Sequence, residues 1–378
     1  VALRLPARRR APEPPPAYLV STAGHPNYGD ELIARAWLDH LAERHPDRDV
    51  WLDGPRPGRA AHLFAGTHPR VRFTDTLWEL AHGSPSHDPR EDAERIAGLV
   101  TGLGSPRFDP GLLALRGMAS VHLLGGGYLN AMWHDNLGVV AALAVLRREF
   151  GIPVHMTGQG LMPAGEFGPW LREQVAGFDV VETRDAESAA LIGGEVGLDD
   201  AFLALDVGRP VFDERPSPDR MVLVQGDLRA WEDEAAVASI ASFLAAAPEA
   251  SRGFVEAVPP DDIRYARMVD PDARFWPFGH IWADGLPARA GQSWLTSRFH
   301  IHLMAAAAGA AGVVISGRAG YYDIKHRSLL DLGTGWTMVP AGADLRDPAV
   351  ATRDEGFPDR ARELARRKRA LADAIYPR

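Results

Sequence analysis

The sequence predicts an α/β protein made of two Rossmann-like domains that face a cleft. Three observations carry this. Short apolar runs ending in glycine-bearing turns alternate with helical periodicity, once from Ala17 and again from Met221. A proline- and charge-rich stretch at residues 206–220 separates the two series. The length of 378 residues suits two cores of ordinary size.

Residues 1–16 carry arginines with no apolar run behind them and read as a disordered, proline-stiffened tail rather than a secretion signal. The first strand is Ala17 to Thr22, AYLVST. The turn AGHPNYG follows, and Asp30 caps a helix whose apolar residues Leu32, Ile33, Ala36, Trp37 and Leu41 fall at helical spacing. ASVHLL then leads through GGGYLN into LGVVAALAVLRREF. IPVHMT leads through GQGLMP into WLREQVAG, and FDVVETRD into AESAALIGG. These units form the N-terminal half, residues 17–205. After the linker at 206–220 comes the C-terminal half, 221–350. It runs through RMVLVQGD, DEAAVASIASFLAAA, RGFVEAV, RFWPFG, TSRFHIHLMAAAAGAAGVVISG and YDIKHRSLLDLG. Residues 351–378 form a C-terminal amphipathic helix packed on the body, with Leu364, Leu371 and Ile375 on its apolar face. Its basic face is solvated or meets an anionic surface.

A formal net charge of −9 argues against bulk nucleic-acid binding. A small anion needs only a local cluster of cations and helix N-termini. No apolar run reaches the length of a transmembrane segment, so the expected location is cytoplasmic or membrane-peripheral. There is no cysteine and no H-E-x-x-H. His300 and His302 are two apart and would diverge on a helix, so no metal site is expected.

Ligands of such folds bind at the carboxyl ends of strands, so the turns there supply the candidates. Asn27 and Asp30 lie in HPNYGDE; a plain capped turn is the simpler reading. Gly126 and Gly127 in LLGGGYLN let a backbone approach a ligand, or serve close strand–helix packing. Gln159 sits between two glycines. Arg184, in ETRD, offers a planar fork to a carboxylate or phosphate, or pairs with a neighbouring acid. Arg298 and His300 precede an alanine-rich run. A helix starting near Phe299 puts His300 in its first turn, where the dipole disfavours imidazolium until an anion binds, a setting suited to a general acid. Tyr322 and Lys325 open a further helix. Trp276, Trp282 and Trp294 are placed near the cleft, where they offer aromatic faces to a ligand or pack in the core.

In this order, NYGDE, LLGGGYL, GQGLMP, ETRDAES, DDAFLALD, SRFHIHLMAAAAG and YYDIKHRSLLDLG resemble the polysaccharide pyruvyl transferase family over roughly residues 17–335. The resemblance implies a two-domain GT-B-like fold, with residues 17–205 on the acceptor side and 221–350 on the donor side. It implies transfer of pyruvate from phosphoenolpyruvate onto two sugar hydroxyls of a cell-surface polysaccharide or its precursor, closing a cyclic ketal. It implies no cofactor and no metal, with phosphoenolpyruvate as co-substrate and a saccharide, in some members lipid-linked, as acceptor. On that basis His300 and Arg184 are the expected catalytic residues. Arg298, Lys325, Tyr322, Gly126, Gly127, Gln159, Asn27 and Asp30 are the expected substrate contacts. The competing readings are a glycosyltransferase with a nucleotide-sugar donor and a catalytically silent saccharide-binding protein.

Overall fold

The computed structural model describes residues 14–227, 231–245, 247–317 and 322–378, the side chain of Tyr322 excepted. Most of the expected N-terminal tail therefore lies outside the described residues. Two parallel sheets form the frame. The first contains β1 (Ala17–Val20), β2 (Val50–Asp53), β3 (Val71–Thr74), β4 (Ser120–Leu123), β5 (Val154–Gln159), β6 (Val180–Thr183) and β7 (Glu195–Val196), in spatial order β3-β2-β1-β4-β5-β6-β7. The second contains β8 (Arg220–Leu223), β9 (Arg252–Val255), β10 (Arg274–Trp276), β11 (Ser293–Thr296), β12 (Ala311–Ser316) and β13 (Thr337–Pro340), in order β10-β9-β8-β11-β12-β13.

Both sheets have the doubly wound pattern. The central strands β1, β4 and β8 are buried along their whole length, as covering by helices on both faces requires. Connections run outward in opposite directions from β1 and β4, and from β8 and β11. These are the switch points, where the strand-end loops part and leave a crevice.

Several elements escaped the sequence reading. VWLD and VRFT are β2 and β3, each of four residues, and β3 is only half-buried with exposed Arg72. So short a run with charged residues gives little periodicity to detect. TMVP, the edge strand β13, is likewise missed. The first helix spans Tyr28–Arg44 and is capped by Asn27, whose side chain accepts from the Gly29 N–H. Asp30 is thus inside the first turn and not the cap.

The helix Phe299–Ala307 is apolar on nearly every side and lies between the two halves, packed on the Tyr28–Arg44 helix of the first and the Phe357–Ile375 helix. Nearly all-round apolarity is what burial between two bodies demands. The C-terminal helix Phe357–Ile375 also crosses back to the first half, against residues 200–205. Its buried face is Phe357, Ala361, Leu364, Ala365, Lys368 and Ala372. Leu371 and Ile375 are only half-buried, while a lysine occupies the centre of the packed face.

One buried acid ties down the turn after β1. The Glu31 carboxyl has no exposed surface and takes hydrogen bonds from the Gly24 N–H at 3.0 and 3.2 Å. Burial, with Asp30 beside it, pushes its pKa up to about 9 from 4.5. The folded value lies above the unfolded one, so folding takes up a proton, and stability is lost as pH rises from about 4.5 towards 9. Glu31→Gln keeps the acceptor for Gly24 and removes the titration. It is expected to raise unfolding free energy by about 3 kcal/mol at pH 7, with little difference near pH 4.5. Urea unfolding at the two pH values checks this.

Candidate functional site

The loops at both switch points meet across a cavity of about 420 Å³. The first half contributes Thr22, His25, Asn27, Gly29 and Asp30 from beyond β1, Gly127, Tyr128, Trp133 and Asn136 from beyond β4, and Arg184 from beyond β6. The second half contributes Gln225 and Asp227 from beyond β8, Ser297 to Ile301 from beyond β11, and Lys325 from beyond β12. Seven of the residues expected from sequence line this space: Asn27, Asp30, Gly127, Arg184, Arg298, His300 and Lys325.

Gly29, Gly127 and Gly160 make room for basic side chains. A Cβ at Gly29 would lie 1.7 Å from Nδ1 of His300. One at Gly127 would lie 2.8 Å from Lys325 Nζ and 2.9 Å from Arg184 Nη2, and one at Gly160 would lie 2.6 Å from Arg184 Nε. Arg184 and Lys325 therefore converge on a single point above Gly127. Enclosure, with Arg184 next to it, pushes the Lys325 ammonium well below its usual range. Two basic groups held this close favour an anion that can bind both and restore the charge on the lysine.

Facing them are two acids. Burial raises the Asp30 pKa, against the pull of His300, Thr22, Lys325 and Arg184, and Asn27 Nδ2 donates to its Oδ2 at 2.9 Å. Asp199 was not singled out from sequence. It is buried at the start of the short helix Asp200–Leu205, accepts from Arg184 Nη1 at 2.8 Å, and sits 3.3 Å from His300 Nε2. Burial alone would raise its pKa, but His300 and Arg184 outweigh that and hold the carboxyl well below the usual range. The contact joins the halves, because Asp199 belongs to the first and His300 to the second. The Arg184 guanidinium also stacks 4.4 Å over the Phe299 ring. Only the quoted run DDAFLALD hinted at this acid, through its doubled aspartate.

Beneath the site a histidine pair fixes the helices that carry His300 and Lys325. His326 Nε2 lies 3.2 Å from the Ser297 carbonyl, the two Nδ1 atoms of His302 and His326 are 3.1 Å apart, and His302 Nε2 is 2.9 Å from Thr334 Oγ1. The carbonyl can only accept, so His326 donates from Nε2 and accepts at Nδ1. His302 must then donate from Nδ1 and accept from the Thr334 hydroxyl. Burial lowers the pKa of both rings, that of His326 to about 4, which keeps the pair neutral near pH 7.

Other expected residues lie elsewhere or are engaged differently. Arg298, expected to hold a ligand anion, turns its guanidinium to Asp227 Oδ1 at 2.5 Å and Asp262 Oδ1 at 2.6 Å. Asp262 also accepts from the Ala257 and Val258 N–H groups, so the arginine braces the turn after β9. Gln159 is fully buried and donates to the Leu124 carbonyl; it faces the core and not the cavity. The Gly126 N–H points at the Gly158 carbonyl, 3.4 Å away, and so is not aimed at a ligand. Trp276, Trp282 and Trp294 are core residues, and Trp133 is the tryptophan on the cavity wall. The Tyr322 side chain lies outside the described residues. Among the described residues, no helix is long and apolar enough to cross a membrane.

A family model described as Polysaccharide pyruvyl transferase matches residues 27–317. Curated proteins give no significant match. Solved structures similar to this chain include a candidate UDP-N-acetylglucosamine 2-epimerase from Listeria monocytogenes, at TM-score 0.58 and 11% identity, covering 95% of this chain and 96% of that one. The UDP-GlcNAc 2-epimerase of Neisseria meningitidis, solved with UDP-GlcNAc, has TM-score 0.52 and 11% identity over 92% and 93% of the chains. The spinosyn rhamnosyltransferase SpnG has TM-score 0.50 and 15% identity over 95% and 99%. These likenesses establish the GT-B fold.

Proposed function

Because the chain belongs to the polysaccharide pyruvyl transferase family, we propose that it moves pyruvate from phosphoenolpyruvate onto two hydroxyls of one saccharide and closes a cyclic ketal. The observation that carries this reading is the convergence of Arg184 and Lys325 above Gly127, beside a histidine held by a buried aspartate. Phosphoenolpyruvate carries a phosphate and a carboxylate, and the paired cations suit one of them or bridge both.

The reaction needs a proton on the donor's methylene carbon. With His300 Nε2 facing Asp199, the proton to be given is the one on Nδ1, the ring edge lying against Gly29 on the cavity wall. Protonation of the methylene carbon makes a methyl group and leaves positive charge on the adjacent carbon. The first sugar hydroxyl adds there and loses its proton. The bond to phosphate then breaks, with Arg184 and Lys325 stabilising the departing anion. The second hydroxyl adds and loses its proton in turn. Of the two hydroxyl protons, one replaces the proton His300 gave and the other leaves on phosphate, so the cycle closes without an outside acid. Asp30 and Asn27, in the turn that carries Gly29, fit the acceptor side.

Calorimetric titration with phosphoenolpyruvate, with UDP-glucose as the comparison donor, tests the reading. So does mass analysis of p-nitrophenyl hexosides incubated with protein and donor. Saturable phosphoenolpyruvate binding and a hexoside carrying one pyruvyl ketal are expected. Binding and transfer from UDP-glucose alone would replace the reading with glycosyl transfer.

A further inference from the structure

The turns that build the cavity floor share a foundation that comes from the far end of the chain. Lys368, on the helix Phe357–Ile375, has a fully buried side chain. Its Nζ lies 2.6 Å from Asp200 Oδ1, donates to the Leu198 carbonyl at 2.9 Å and forms a short ion pair with Glu182 Oε2. Burial would lower its pKa, but the two carboxylates raise it instead.

Those carboxylates are spent on backbone and on the sheet. Asp200 Oδ2 accepts from Gly125 N, Thr157 Oγ1 and Trp37 Nε1, each at 2.8 Å. Glu182 accepts from Gly158 N at 3.2 Å and Leu198 N at 3.1 Å. Through two acids, one lysine thus holds three strand-end turns. They lead to Gly127, to Gly160 and to Asp199, the residues that seat Lys325, Arg184 and His300. Without the lysine two buried carboxylates would face each other unpaired, and the turns would have to move to rehydrate or separate them.

We propose that Lys368 is a positioning residue for transfer, acting through Asp200 and Glu182 on the turn that presents Asp199. It lies beyond the family match, which ends at residue 317, so the C-terminal helix would be a working part of the site and not only a cover. The inference rests on the reading of the cavity as the pyruvyl-transfer site.

Lys368→Met/Glu182→Gln removes one charge of each sign and so preserves the net charge of the buried cluster; Lys368→Met alone is the harsher variant. In the full-length double variant, folded by near-UV circular dichroism, we expect kcat/KM for ketal formation to fall about a hundredfold, the cost of a misplacement near 1 Å. A second measurement separates positioning from stability. Adding Asp199→Asn to the double variant should cost far less than it does in wild type, because the two changes break one chain of contacts. If Lys368 supplies stability alone, the melting temperature falls, kcat/KM of the folded protein stays within about threefold of wild type, and the Asp199 effect is additive. That result overturns the inference while the transfer reading stands. Wild type that neither binds phosphoenolpyruvate nor forms ketal removes both.

Discussion

Replacing His300 by alanine is expected to lower the turnover of ketal formation by about two to four orders of magnitude, the range for a lost general acid. Donor affinity should change little, because Arg184 and Lys325 stay in place above Gly127. Parallel titration and rate measurements give that split directly. Gly29→Ala should reproduce much of the loss without touching the imidazole, since a methyl there would stand 1.7 Å from Nδ1 and must displace the ring or the helix turn. In heavy water the product of wild type should carry a solvent deuteron in its methyl group, as proton donation to the methylene carbon requires. Full turnover in His300→Ala would remove the histidine from the chemistry.

The order of strands and turns was legible because parallel α/β units repeat one signal, a short apolar run, a glycine turn and a helical period. The helix start at Phe299 was legible for the same reason, and it placed His300 correctly in a first turn. What the glycines do was not. Gly127 reads as a place for backbone to approach a ligand or for close packing, and Gly29 as part of a plain turn. Gly29, Gly127 and Gly160 each yield side-chain volume to a basic group, and for Gly29 and Gly127 that group, His300 or Lys325, comes from the other half of the molecule. A neighbour so distant in sequence leaves no local trace. The ion pairs of Arg298 are hidden in a related way: its carboxylate partners Asp227 and Asp262 come from the turns after β8 and β9. Lys368 failed because a lysine in a run of arginines reads as solvated until two buried acids are known to meet it.

Asp199→Asn is the second change with a large expected effect, and it separates charge from shape. The amide is nearly isosteric, so the turn and its cap to Ala201 can survive. The charge that holds His300 Nε2 and Arg184 together is lost. With its oxygen kept on the Ala201 N–H, the amide turns its NH2 toward Arg184 and leaves no carboxylate beside His300 Nε2 to stabilise the imidazolium. Turnover should fall by about two to four orders of magnitude, like loss of the acid itself. Stability should fall too, by about 3 kcal/mol at neutral pH, because a buried cation loses its partner. The pH dependence has a definite sign. The folded pKa of Asp199 is depressed, so its contribution is present above the unfolded value near 3.8 and is lost as pH falls through the folded one. The stability gap between wild type and variant should therefore be full at pH 7 and narrow only in strong acid. An unchanged rate with a full stability gap would make Asp199 a strut between the halves, and His300 would then have to act without it.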